Sequence, residues 1–326
     1  MWVGIALLSV GCAGPAVPRP QPPMPAPAET IRVQLEDHGE TVVRDVPLDA
    51  YVAAAALSEF APAAGTPSAV EAMYEVQTIV ARTYAAAHRA RHAREGFDLC
   101  SSTHCQLYDP GRLFTSRWAD AARLAAERTA GLVVLYDGLP ADAVFHADCG
   151  GSTSAAADVW GGAGRPYLPA RADDGAASGA HASWQYAVDA DALGRMLDAS
   201  PQSRLGGSLT AVTVDARDAS GRVARLRLHP SGGGADVTMA GPALREAMSA
   251  TFGTRALRST LFDVARSGRQ FVFSGKGFGH GVGLCQVGAL ARVTAGEDVR
   301  AVLAHYYPGT IVAPLAIRRS SHTRPD

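Results

Sequence analysis

Lysine is almost missing from this chain. Of 30 basic side chains in 326 residues, one is Lys276 and the rest are arginine. A Ser-x-x-Lys nucleophile is therefore excluded, because its serine would have to stand at 273, which is Phe273. A surplus of charge is missing too. With 31 acidic residues the formal net charge is -1, which removes the electrostatic case for a general nucleic-acid binder. There is no His-Glu-x-x-His, so the commonest zinc-peptidase arrangement is out, and no Gly-x-Ser-x-Gly elbow. No Gly-Lys-Ser/Thr occurs, which excludes a phosphate loop. The alternating glycines of 275–283 fail the dinucleotide spacing. Aromatic residues are 7% and cysteines five. What remains is an ordinary globular composition, 47% hydrophobic and 19% charged, long enough for one large or two ordinary domains.

The longest leading apolar run, Trp2–Val10, falls short of the roughly 20 residues a spanning helix needs. It fits the apolar core of a secretory signal over residues 1–11. Gly11-Cys12 and a proline-rich stretch follow, so 12–30 reads as a lipid-anchor Cys12 with a linker, the pattern of a bacterial lipoprotein. The plainer alternative is a signal peptide with an incidental cysteine. Either way the chain is expected in the cell envelope: periplasmic, or held on the outer membrane by its lipid, in a Gram-negative host. The folded domain is expected over 31–320, with a tail at 321–326.

Alternating and helical periodicities succeed one another along that domain. IRVQL and TVVRDV flank the turn signal His38-Gly39. LDAYVAAAALSEF reads as a helix stopped by Pro62, and Val70 to about Arg94 as a longer one. Residues 97–113 read as loop and 115–129 as helix. LVVLYDG and ADAVFHA predict a hairpin around Asp137-Gly138. Residues 188–265 read as an inserted subdomain. The expected class is α+β, mixed helices with antiparallel sheet around a cleft.

Several residues carry chemistry. In the first helix Val52, Ala55, Ala56 and Glu59 share one face by spacing. A carboxyl among such small apolar neighbours is expected to have a raised pKa and to donate a proton near neutrality. A Glu at a frayed helix end is the bland alternative. The next helix strings Gln77, Arg82, Tyr84 and His88 among alanines, an unusual density of long polar groups for packing alone. Cys100, His104 and Cys105 have the tight spacing of soft zinc ligands, with His92, or less well His88, as the fourth. A Cys100–Cys105 disulfide is the competing reading. Phe145–Thr153 and Gly275–Gly283 are two glycine-rich motifs that present His146, Asp148 and His280. Each is linked to one further cysteine, Cys149 and Cys285.

The stretches VPLDAYVAAAALSEF, EVQTIVARTYA, THCQLYD, TAGLVVLYDGLPADAVFHADCGGST, VWGG with PYL, LRSTLFDV, GKGFGHGVGLCQVGALA and HYYPGT occur in order over roughly 31–315. Together they resemble the SpoIID/LytB family of bacterial cell-wall proteins. The resemblance implies a glycan-binding cleft and, in the enzymatic members, lytic transglycosylation of peptidoglycan strands stripped of stem peptides. The matching catalytic acid is Glu59. It also implies a structural zinc at Cys100, His104 and Cys105 with His92. Substrate contacts would come from Gln77, Arg82, Tyr84, Gln106, Tyr108, His146, Asp148, His280 and Gln286. Cys149 and Cys285 stand where serines are common in the family, and their paired replacement implies a disulfide between the two glycine motifs. Other members enhance a cell-wall amidase, so the implied partners are peptidoglycan strands or an amidase. The implied chemistry requires one carboxyl only, because the muramic C6 hydroxyl, not water, attacks the anomeric carbon.

Overall fold

The computed structural model describes residues 29–62, 65–176 and 181–315. The expected leader, Cys12 and the tail 321–326 lie outside them.

The described residues open with a hairpin, β1 (Thr30–Asp37) and β2 (Glu40–Pro47), paired from Thr30↔Pro47 to Asp37↔Glu40. His38 and Gly39 turn it, both at positive φ, as a tight hairpin between right-twisted strands requires. Pro47 leads straight into α1 (Leu48–Glu59). A longer helix, α2 (Pro67–Ala87), starts on Thr66, whose side chain accepts from the Ala69 N–H. β3 (Leu99–Cys100) then adds to β1 in parallel. After α3 (Arg112–Thr115) and α4 (Ala119–Arg128) comes β4 (Leu132–Tyr136), hairpinned to β5 (Leu139–Pro140). Next are β6 (Phe145–His146), β7 (Ser152–Thr153), α5 (Ala156–Trp160) and β8 (Arg171–Ala172).

From Trp184 the chain builds a second core, running to Phe273. Its elements are β9 (Trp184–Asp189), α6 (Ala190–Ala199), β10 (Leu209–Arg217), β11 (Val223–Pro230), β12 (Val237–Ala240), α7 (Gly241–Phe252), β13 (Phe262–Ser267) and β14 (Gln270–Gly275). They form two antiparallel sheets, β10-β11-β12 and β13-β14-β9. The chain returns to the first core with β15 (Leu284–Cys285), α8 (Gln286–Thr294), α9 (Val299–Tyr306) and β16 (Ile311–Pro314). The described residues thus make an α+β molecule with two hydrophobic cores, the first assembled from both ends of the chain.

Three local expectations differ from the structure. α1 has no apolar face: Tyr51 to Leu57 are all buried, so the helix runs through the core and its alanines let α2 and α4 approach. α2 ends at Ala87 rather than near Arg94, because His88 leaves helical geometry and Ala90 turns to φ 64°. ADAVFHA does not complete a hairpin with β4. Only Leu139–Pro140 does so. The other edge of β4 is taken by β16, and Phe145–His146 instead pairs in parallel with Leu284–Cys285.

Candidate functional site

Glu59 is the last residue of α1, where the helix emerges from the core. Its Oε1 accepts from the Leu107 N–H at 2.7 Å. Burial pushes its carboxyl up to about 7, and the Leu107 bond, which favours the charged form, offsets only part of that. No other carboxylate contributes to the shift. The segment that supplies Leu107 is clamped to α1 at three points. Besides the Glu59 bond, Tyr51 Oη donates to Gln106 Oε1 at 3.1 Å and the Asp109 N–H donates to Ser58 Oγ at 3.0 Å. Tyr108 stacks on Tyr51 with ring centroids 5.0 Å apart. Gln286, the first residue of α8, reaches the same helix end, donating to Glu59 O at 3.2 Å and Gln77 Oε1 at 3.3 Å. Glu59, Gln77, Gln106, Tyr108 and Gln286 are thereby brought together. The amide nitrogens of Gln77 and Gln106 are buried without a partner.

Immediately before Gln106 lies the Cys/His cluster. Ligand atoms of His92, Cys100, His104 and Cys105 all fall within 4.8 Å of one another. His92 Nε2 is 3.3 Å from Cys105 Sγ, and His104 Nδ1 is 3.7 Å from each sulfur. A tetrahedral zinc with bonds of about 2.0–2.3 Å sets its ligands roughly 3.3–3.8 Å apart, so this donor set fits. His92 Nδ1 pairs with Glu95 at 2.7 Å, the carboxylate support common behind metal-bound imidazoles. His88 instead pairs with Asp142 at 3.2 Å. Both cysteines are free thiols.

The two glycine motifs meet face to face, with Asp148 N–H and Phe278 N–H each donating to the other's carbonyl. His146 is buried, its Nδ1 donating to Val282 O at 3.1 Å and its Nε2 unpartnered. Its ring lies 5.4 Å from that of His280, which in turn lies 5.2 Å from exposed Trp160. Burial, then the Arg245 charge, lowers His280 to about 4. Burial above all, and the Arg222 charge beside it, hold His146 well below its usual value. Both are neutral at physiological pH. Because Cys285 pairs with His146 and precedes Gln286, this corner begins one residue from the group that holds Glu59.

Other expected residues serve the framework. Arg82 is buried and donates to the carbonyls of Thr129 at 2.8 Å and Ala126 at 3.2 Å, and to Asp49 at 3.0 Å. Its guanidinium is spent tying α4 to α1 and α2. Tyr84 lies against His88, with ring centroids 4.3 Å apart, and its hydroxyl accepts from Arg91 at 3.3 Å, with no hydrogen bond to Glu59. Asp148 is fully buried, its Oδ1 accepting from the Gly150 N–H at 2.8 Å, a turn-forming bond. Cys149 and Cys285, expected as a disulfide pair, are free thiols in this structure and lie side by side, their sulfurs within 4.8 Å of each other and of a His146 ring nitrogen. Cys149 Sγ turns to Asp173 Oδ2 at 3.5 Å, while Cys285 Sγ accepts from the Cys149 and Gly288 N–H groups. Sequence reading missed Tyr51, the Leu107 N–H, Trp160 and Arg245. Tyr51 carried a signal, a bulky polar group at helical spacing from Glu59, but a backbone amide carries none.

Residues 36–136 match the family model described as stage II sporulation protein (SpoIID), and residues 177–283 match one described as a domain of unknown function (DUF8618). The amidase enhancer of Bacillus subtilis (strain 168) is 26% identical over 278 residues, covering 72% of this chain and 37% of that protein. Stage II sporulation protein D of Bacillus amyloliquefaciens is 26% identical over 287 residues, 83% of this chain and 75% of that one. An uncharacterized protein of Brachyspira hyodysenteriae is 27% identical over 281 residues, 82% of this chain and 67% of its own. The chain therefore spans little more than a third of the amidase enhancer. The sporulation-protein match contains both Glu59 and the Cys/His cluster, and with these relatives it supports the resemblance to the SpoIID/LytB family.

Proposed function

We propose that this protein acts on the bacterial cell wall as an exported peptidoglycan lytic transglycosylase with Glu59 as its acid and base. The observation that carries the reading is a half-buried carboxyl titrating near 7, oriented by one backbone amide and shifted by no second carboxylate. Ordinary glycosidases divide their work between two carboxyls. A transglycosylase divides it in time. Protonated Glu59 gives its proton to the glycosidic oxygen as that bond breaks. The resulting carboxylate then takes the proton of the muramic C6 hydroxyl as its oxygen closes on the anomeric carbon, leaving a 1,6-anhydro ring. Water is not consumed and Glu59 ends protonated. A pKa near working pH suits both halves. The Leu107 N–H stabilises the carboxylate formed between them.

His92, Cys100, His104 and Cys105 would hold one structural zinc. Two thiolates and two imidazoles close a tetrahedral site, which marks it as structural. Its role is to fix the strand-to-loop turn that delivers Gln106 and Leu107. The amidase-enhancer name of one relative favours a second reading, in which the same cleft holds glycan or an amidase without cleaving. Cys12 would anchor the mature chain to a membrane by lipid. Cys12→Ser should move the protein to the soluble envelope fraction, and unchanged membrane association would refute the anchor.

Mass spectrometry of denuded glycan strands decides between the main readings. Strands ending in 1,6-anhydro-muramic acid with the native chain, and not with Glu59→Gln, support the transglycosylase. Intact strands retained on the protein support the binding module.

A further inference from the structure

His146, Cys149 and Cys285 meet where the two glycine motifs cross. β6 and β15 pair in parallel with His146 opposite Cys285, so the two side chains share one face of the pair. The turn after β6 carries Cys149 to the same point, its N–H donating to Cys285 Sγ at 3.2 Å. Both sulfurs and a His146 ring nitrogen lie within 4.8 Å of one another, and all three residues are buried, His146 at 5% exposure and the cysteines at 0%. Gly279 makes room for the ring, since a Cβ there would stand 2.7 Å from His146 Cβ.

These atoms are prepared as ligands. His146 Nδ1 donates to Val282 O at 3.1 Å, which leaves the ring's lone pair on Nε2, buried without a partner. A carbonyl behind the ring fixes metal-bound imidazoles in the same way. Cys285 caps α8, and its sulfur accepts the Gly288 N–H at 3.4 Å besides that of Cys149. Amide donors at a helix N-terminus favour the thiolate, which is the form that binds metal. A buried nitrogen without a partner is costly, and a cation relieves that cost. Asp173, though 3.5 Å from Cys149 Sγ, falls outside the group and accepts from Tyr306 Oη at 2.7 Å. The donors are therefore three, whereas a closed structural zinc site takes four. Two soft sulfurs and one imidazole, sealed from solvent, suit copper(I).

We propose that His146, Cys149 and Cys285 form a buried three-coordinate site for copper(I), separate from the Cys/His cluster that precedes Gln106. Binding is ligand exchange with no electron transfer. Both thiols release their protons to solvent as two copper–sulfur bonds form, and His146 Nε2 supplies the third bond. The ion acts as a brace between the glycine motifs. Gln286, the residue after Cys285, holds Glu59 O and Gln77, so the brace backs the candidate acid. The proposal is independent of the glycan reading.

The test titrates the reduced full chain with copper(I) against the chromophoric chelator bicinchoninate, beside a Cys149→Ser/Cys285→Ser chain. Serines are common at both positions in the resembled family, so the variant keeps the shape of the corner. Both chains retain the other cluster, and the native chain should hold about one more copper than the variant. His146→Asn keeps both thiols and should weaken that copper by about tenfold or more, at least the cost of losing an outer-shell partner. Equal copper in the native and double-serine chains overturns the site, and so does a His146→Asn chain with native affinity. A third outcome needs no variant: a peptide map of the unreduced native chain, taken from its own envelope, that recovers Cys149 joined to Cys285 overturns the copper site in favour of a disulfide.

Discussion

Glu59 binds its proton more tightly in the folded chain than an exposed carboxyl would, and that has two consequences. For activity, Glu59→Gln should lower strand cleavage by roughly 10²–10⁴-fold, the ordinary contribution of a positioned acid–base group. Cleavage by the native chain should fall as pH rises through about 7, where the acid form is lost. For stability, the folded value of about 7 exceeds the unfolded value of about 4.3. The protonated carboxyl's contribution is therefore complete below about pH 4 and is lost as pH rises through 7. Glu59→Gln should raise the melting temperature at pH 8.5 relative to the native chain and leave it nearly unchanged at pH 4. A calorimetric comparison at those two pH values checks this, and equal shifts at both would mean that Glu59 is not desolvated.

At the scale of elements, the segment from β3 to Asp109 couples the Cys/His cluster to Glu59. Cys105 precedes Gln106 and Leu107, whose contacts position Tyr51 and the carboxyl. Metal analysis of the purified chain should find about one zinc, lost in Cys100→Ser. Without it the Leu107 N–H should no longer be held on Oε1. Because that bond favours the carboxylate, its loss should move the pH limb of activity upward as well as lower the rate. A Cys100→Ser chain with unchanged zinc content would refute the cluster as the metal site. This coupling was half legible. The Cys-x3-His-Cys spacing is local and visible in the chain, and His92 is brought beside it by the turn after α2. The landing of the loop on α1 depends on the parallel pairing of β3 with β1, which joins residues 66 apart and leaves no short-range pattern.

At the scale of the molecule, the second lobe touches the glycine motifs through Arg222. Its side chain bridges to Cys149 O and Ser152 O, and its backbone N–H is fixed by Asp218. Arg222→Ala would leave both carbonyls unsatisfied and a void against Gly281, and should destabilise the chain by about 2–4 kcal/mol in denaturant melts. The same juxtaposition lets the Arg245 charge help to lower His280. Arg82, conspicuous among alanines, reads as a ligand for an acidic sugar group. The structure spends it on α4, while Arg245, one of many arginines in its stretch, has no ion pair among the described residues. A side chain's type was readable at both positions, but its availability was not, because availability is set by which partners the fold brings within reach.

The sequence by itself determined what depends on neighbours in the chain: the alternation of helices and strands, the Cys/His ligand spacing, the glycine motifs, and Glu59 at the end of an alanine-rich helix. The tertiary structure alone decided which of these meet. It ran α1 through the core instead of along its surface, brought Cys149 and Cys285 side by side from 136 positions apart, and parted ADAVFHA from β4 to pair it with the returning chain. Each of those outcomes rests on contacts between residues tens to hundreds of positions apart. Local periodicity reports the burial of a face and not the identity of what covers it.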